Sequence, residues 1–270
     1  MDPTDTNEIN EQFNNPEPPQ EEELSHSDKM IGVFTEPAKM FGQTALFPVR
    51  NKDWVIPIFI LLLVAGLINK IAMMNEEVFF EVKEKQVQEL NKQVEEGTLS
   101  REEADQRMDM MDTFMKGPIS WITTIFGALI FGSIMFFILV AIYWLFIKFL
   151  LKGEGGYSSA MVASGLTGYI TIIQLIITGI LSFLFGTLVK DTSLASLLGS
   201  DKTTLVGWVF AKVDQISIWA YMVLSIGLAK MFKSESTGKY YALVFGLWII
   251  GGLLIFFLSQ AVPFLSFLNM

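Results

Sequence analysis

The 270-residue chain contains no cysteine. Disulfides, thiolate nucleophiles, zinc–thiolate sites and iron–sulfur clusters are therefore excluded. It contains a single histidine, His26, within a polar stretch near the N-terminus. Metal sites and proton relays built on several imidazoles inside a membrane go with it, and no cofactor is expected. A third shortage is positional: residues 119–147 carry no charge at all. As a helix rising about 1.5 Å per residue this run is roughly 40 Å long, more than the ~30 Å hydrocarbon core of a bilayer requires. A soluble core does not bury such a rod on every side. A bilayer does, because the helix satisfies its own backbone hydrogen bonds there.

What is present agrees with that solvent. The chain is 51% hydrophobic and 17% charged, and its net charge of −9 is unevenly spread. Residues 1–53 hold eleven acids against four bases, and residues 70–118 hold twelve against seven. Two acidic extramembrane segments argue against nucleic acid as a partner, since phosphate binding needs clustered Lys and Arg. The acidic start also lacks the basic-then-apolar pattern of a cleavable signal peptide, so insertion is expected to be directed by the first span.

The fold class read from this pattern is all-α, a polytopic integral membrane protein. Five spans are expected in a bundle, at about 54–74, 119–147, 160–189, 215–232 and 241–267, with an extramembrane helical hairpin over 75–118. Residues 1–27 read as a disordered acidic tail, too poor in apolar side chains to offset their ordering entropy. In 28–53, Met30, Val33, Phe34, Ala38, Phe41 and Ala45 recur at helical spacing, with Thr35 and Pro37 marking a helix start. That segment is expected either to lie in the interface, apolar side down, or to pack beneath the bundle as an ordinary helix. Within the hairpin, Gly97 breaks the first helix, and Ser100 with Glu103 forms a capping box for the second. Ala104, Met108, Met111 and Met115 then share one face, either as the hairpin's own core or as an adaptable partner surface.

Three features of the spans point to function. Ala160, Ser164 and Gly168 repeat every four residues in the third span, as do Thr178, Ser182 and Gly186. Such small residues let a neighbouring helix approach closely and mark this span as the central helix. Gln174, near its middle, is expected to hydrogen-bond across helices, or else to line a solute path. Asp214 reads as the N-cap of the fourth span, with a lone functional acid as the alternative. Neither a nucleophile with a nearby base nor a pair of intramembrane carboxylates can be assembled, so no catalytic or metal site is assigned. Lys and Arg are densest in the short segments around 29–52, 148–158 and 230–240, which places the N-terminus in the cytoplasm and the C-terminus outside.

The run DQISIWAYMVLSIGLA at 214–229 resembles the fourth-span signature of the Yip family, Ypt/Rab-interacting proteins with a YIP-one domain. GEGGYSSAMVASGLTGY at 153–169 resembles the corresponding family stretch, as does VFTEPAKMF followed by Trp54 and Pro57. The resemblance covers about 30–270 and implies a five-span membrane protein with a cytosolic N-terminus. The family's eukaryotic members are associated with Rab-type GTPases. Here the Asp-Leu-Tyr-Gly-Pro motif around the first two spans is missing and the 75–118 hairpin is longer. Both departures look like a prokaryotic member in the cytoplasmic membrane and count against a GTPase partner. The function implied is a non-enzymatic membrane organiser with membrane lipids and other membrane proteins as partners; a small transporter or channel for a neutral solute is the alternative.

Overall fold

Twelve α-helices and one π-helical turn make up the computed structural model over residues 22–261, the described part of the chain apart from the side chains of Asp112, Thr113 and Lys116. The expectations for residues 1–21 and for the end of the fifth span, 262–267, lie outside it. No strand occurs among the described residues. Four helices are long and apolar enough to cross a membrane: α3 (Lys52–Ala72), α6 (Pro118–Phe149), α7 (Tyr157–Phe185) and the composite Gly238–Ala261. The composite runs from α11 (Gly238–Gly246) through the π turn Leu247–Gly251 into α12 (Gly252–Ala261).

The remaining membrane element is not a simple rod. The fourth span expected at 215–232 is α10 (Gln215–Met231), and its 17 residues reach only about 26 Å, short of the hydrocarbon core. It spans only together with α9 (Leu205–Ala211), from which it is bent by 61° across a three-residue break. The chain is thus an all-α polytopic membrane protein, with four candidate spans and one bent pair among the described residues.

α7 is the most deeply buried helix, packing against α3, α6 and α10. α3 and α7 are parallel and in close register. A Cβ placed on Gly165 would lie 2.6 Å from the Trp54 Cα, and one on Gly179 would lie 2.5 Å from Ile68 Cγ2. α6 runs antiparallel to both: Trp54 stacks on Phe136, Gly132 faces Leu62, and Lys70 bonds Ser120. Of the expected packing stripe, Ala160, Gly168, Thr178 and Ser182 are buried. Gly165 and Gly179 approach α3 closely, whereas Gly168 meets Ile58 and Leu61 at an ordinary 3.6 Å. Ala160 is fully buried in the core. Thr178 bonds the Leu175 carbonyl within its own helix, Ser182 accepts from the Val189 N–H, and the Ser164 hydroxyl has no partner. Gly186 ends α7 at φ +64°, a left-handed cap where a Cβ would collide with the Glu77 carboxylate.

At the far end of α3 the hairpin follows. α4 (Glu76–Glu95) is capped by the Asn75 side chain, and the chain turns at Gly97 with φ +70°. α5 (Arg101–Lys116) begins at Ser100, whose hydroxyl accepts from the Glu103 N–H while the Glu103 carboxylate accepts from the Ser100 N–H. Val78, Phe79, Leu99 and Ala104 are buried between and beneath the two helices, and Met108, Met111 and Met115 are half-buried.

At the opposite end lie α1 (His26–Thr35) and α2 (Pro37–Thr44), separated by Glu36. α1 opens with a capping box between Ser25 and Asp28, and Pro37 starts α2 where its missing N–H costs nothing. The two helices form no single amphipathic rod lying in an interface. They pack into the end of the bundle, with Val33, Met40 and Phe41 in the same core as α7 and α10, and with Phe41 filling the notch at Gly227.

Candidate functional site

Two groups of buried polar side chains stand out, one at the α1 end of the bundle and one at the break between α9 and α10. The first is built on Asp53, in the first turn of α3, which is 1% exposed. Lys29 of α1, 2% exposed, donates to its Oδ2 at 2.5 Å. His26 Nδ1 lies 3.2 Å from its Oδ1, and His26 Nε2 lies 2.8 Å from the Tyr169 hydroxyl of α7. A carboxylate oxygen accepts, so the Nδ1–H faces Asp53 and Nε2 pairs with the Tyr169 hydroxyl. Three segments far apart in sequence are joined in this way. Glu23 extends the group outward to Arg50.

This arrangement departs from the sequence expectations at two points. His26 was assigned to a disordered tail, yet it is the first residue of α1 and is locked between α3 and α7. Lys29 is one of the bases counted toward a cytoplasmic N-terminus, yet its amine is buried and paired with Asp53. The i, i+3 spacing of His26 and Lys29 puts both on one face of α1. Their partner, however, is an acid more than twenty residues away, and a local pattern does not reveal it.

The second group surrounds Asp214. Its carboxylate accepts from Gln174 Nε2 at 2.8 Å, Thr192 Oγ1 at 2.9 Å, and the backbone N–H groups of Ile216 and Ser217 at 3.0 and 3.1 Å. The Gln174 amide also lies 3.2 Å from Ser217 Oγ. The last two donors to Asp214 are the free N–H groups of the first turn of α10, so Asp214 sits at the N-cap. Gln174 spans from α7 to that cap.

The register of α3 and α7 gives the depth of the group. Gly165 is opposite Trp54 and Gly179 opposite Ile68, so Gln174 lies opposite residue 63. That is about 15 Å along the bundle from Asp53 and about 10 Å short of Lys70. A span beginning at 215 places Asp214 at a membrane boundary. In the fold it is 2% exposed and near the middle of the α3 length, because α10 starts late and the chain before it folds back inward. Asp214 therefore caps α10 inside the bundle.

The inward-folded segment has its own ties. Asp191 accepts from Ser193, Ser196 and Lys202, the last at 2.5 Å. Burial alone would raise the Asp191 carboxyl, but the bonds from Lys202, Ser193 and Ser196 outweigh it and bring it down to about 2. Lys212, in the break, lies over the rings of Trp208 and Trp248 at 5.0 and 5.4 Å. Among the described residues no group of three His, Asp or Glu side chains is placed to hold a metal ion.

A family model described as the Yip1 domain matches residues 31–259 of the chain. No curated protein and no solved structure matches it.

Proposed function

The chain belongs to the Yip1 domain family of membrane proteins, and from that premise we propose that it is a non-enzymatic membrane organiser, a scaffold that binds other membrane proteins or lipids. The observation that carries this reading is the saturation of Asp214. Four donors from the protein itself occupy this carboxylate near mid-depth. A group so committed ties α7, α10 and the 186–204 segment together, and a reacting acid needs a free lone pair or proton. The Asp53 group is likewise spent on holding α1 to the bundle. What remains available to partners lies outside the spans: the acidic N-terminal region, the α1–α2 pair, and at the opposite end the α4–α5 hairpin. The lysine distribution favours a cytoplasmic N-terminus and an outer C-terminus, in a bacterial cytoplasmic membrane. Crosslinking and affinity capture from native membranes test this reading. A reproducible co-purifying protein or lipid is expected, and recovery of the bare monomer alone refutes it.

One observation favours the alternative of a small transporter or channel for a neutral solute. A membrane helix broken near mid-depth, with polar side chains at the break, is a common construction of carriers. Flux of a neutral solute in proteoliposomes that vanishes in Gln174→Leu would place this reading above the first.

A further inference from the structure

The last turn of α3 contains a lysine that neither polar group uses. Lys70 is 5% exposed, and its amine donates to Ser120 Oγ at 2.7 Å and reaches the Met115 carbonyl at 3.4 Å. Both acceptors are neutral oxygens, and among the described residues these are the partners of the amine. The contrast with Lys29, buried to the same degree on a carboxylate, is direct. A buried ammonium without a counter-charge is costly, so a site that keeps one has room for an anion.

The room is there. Lys70 lines a cavity of about 320 Å³ between the end of α3, the start of α4, the end of α5 and the start of α6. That volume is at the lower end of small-ligand sites. Among the described residues the rest of the lining is Met73, Met74, Phe79, Phe80, Met115 and Trp121, with Glu76 as the one acid. Trp121 is exposed at the start of the longest apolar helix, the position at which indole rings mark the boundary between hydrocarbon and headgroups. Beside it on α6, Ile119, Ile122 and Phe126 are exposed. A buried cation, an exposed carboxylate and an apolar wall that continues onto a lipid-facing helix match the parts of one kind of molecule, a phospholipid with a zwitterionic headgroup.

We propose that this cavity seats a phosphatidylethanolamine-type lipid, with its phosphate on the Lys70 amine, its ammonium on the Glu76 carboxylate and its acyl chains against α6. The primary ammonium is preferred because it donates hydrogen bonds to a carboxylate, which a choline headgroup does not. An anionic glycerol headgroup lacks the positive charge for Glu76. The proposal deepens the scaffold reading, and it rests on it, by naming one lipid class and the place where it binds.

The test is native mass spectrometry of the full chain in mild detergent, doped with equal amounts of phosphatidylethanolamine, phosphatidylglycerol and phosphatidylcholine. The wild type is expected to retain phosphatidylethanolamine about tenfold over the other two. Lys70→Met should lower retention of all three about tenfold. Glu76→Gln, an exposed change that leaves folding intact, should keep total retention and erase the preference. Equal retention of the three lipids by the wild type, a preference for phosphatidylglycerol, or an unchanged preference in Glu76→Gln overturns the proposal. Should Lys70→Met fail to fold, Glu76→Gln decides alone. Partner capture is read separately: a lost lipid preference with partners still recovered sinks the lipid seat, and absent partners with the preference intact sink protein recruitment.

Discussion

Replacing Asp214 probes the α9–α10 break most sharply. In Asp214→Ala the first turn of α10 loses its cap, worth about 1 kcal/mol. The Gln174 amide and the Thr192 hydroxyl, bonded to the carboxylate at 2.8 and 2.9 Å, are left without it at about 1 kcal/mol each. The sum is roughly 3 kcal/mol, on the high side for a region where measured interhelical bonds average about 0.6 kcal/mol. Asp214→Asn keeps the shape, remains a good cap, and presents an oxygen to the backbone donors while the Gln174 amide turns over. Its cost should stay below about 1 kcal/mol. Unfolding by SDS titration from mixed micelles measures both. A cycle with Gln174→Leu should return a coupling of about 1 kcal/mol between the two positions. If Asp214→Ala costs under about 1 kcal/mol, the cluster does not hold the break together. If Asn costs as much as Ala, the negative charge itself is needed, and the saturated-cap account fails.

Breaking the buried Lys29–Asp53 pair with Lys29→Met should cost about 3 kcal/mol, because Asp53 keeps only His26. Amide hydrogen exchange should accelerate in α1 and α2 first, and uniform protection would refute this. Gly165→Ala should lower the unfolding midpoint by more than about 2 kcal/mol equivalent, since its Cβ would sit 2.6 Å from the Trp54 backbone. Gly127→Ala, in the same class of helix with nothing within 4 Å, should be neutral or stabilising by up to about 1 kcal/mol. The 186–204 segment should loosen in acid. Asp191 is held below its ordinary carboxylate value, so its contribution is complete above about pH 4 and is lost as pH falls through about 2. Limited proteolysis with an acid protease should cut the segment faster over that window, and Lys202→Met should move the onset to higher pH.

Much of the architecture was legible along the chain because hydropathy is a local property with a large free energy behind it. An uncharged run such as 119–147 has one low-cost environment, and the structure makes it α6 with its ends displaced by one or two residues. Capping signals were equally local: Ser100 and Glu103 meet as their spacing requires. Which small residue of α7 comes closest to α3 is not a local property. Ser164 and Gly165 are both small, and the one that meets Trp54 depends on the rotation of α7 about its axis, which the neighbouring helices set.

By itself, then, the sequence determined the solvent and the all-α class, since both follow from the preferences of contiguous residues. The tertiary structure alone decided which charges are buried and what they pair with. Lys29, His26 and Asp53 look like ordinary polar residues at helix ends until α1 folds against α3 and α7. Asp214 looks like a boundary cap until a late-starting α10 carries it to the level of Gln174. Burial and partner choice depend on approach between segments distant in the chain, and no local periodicity encodes that approach.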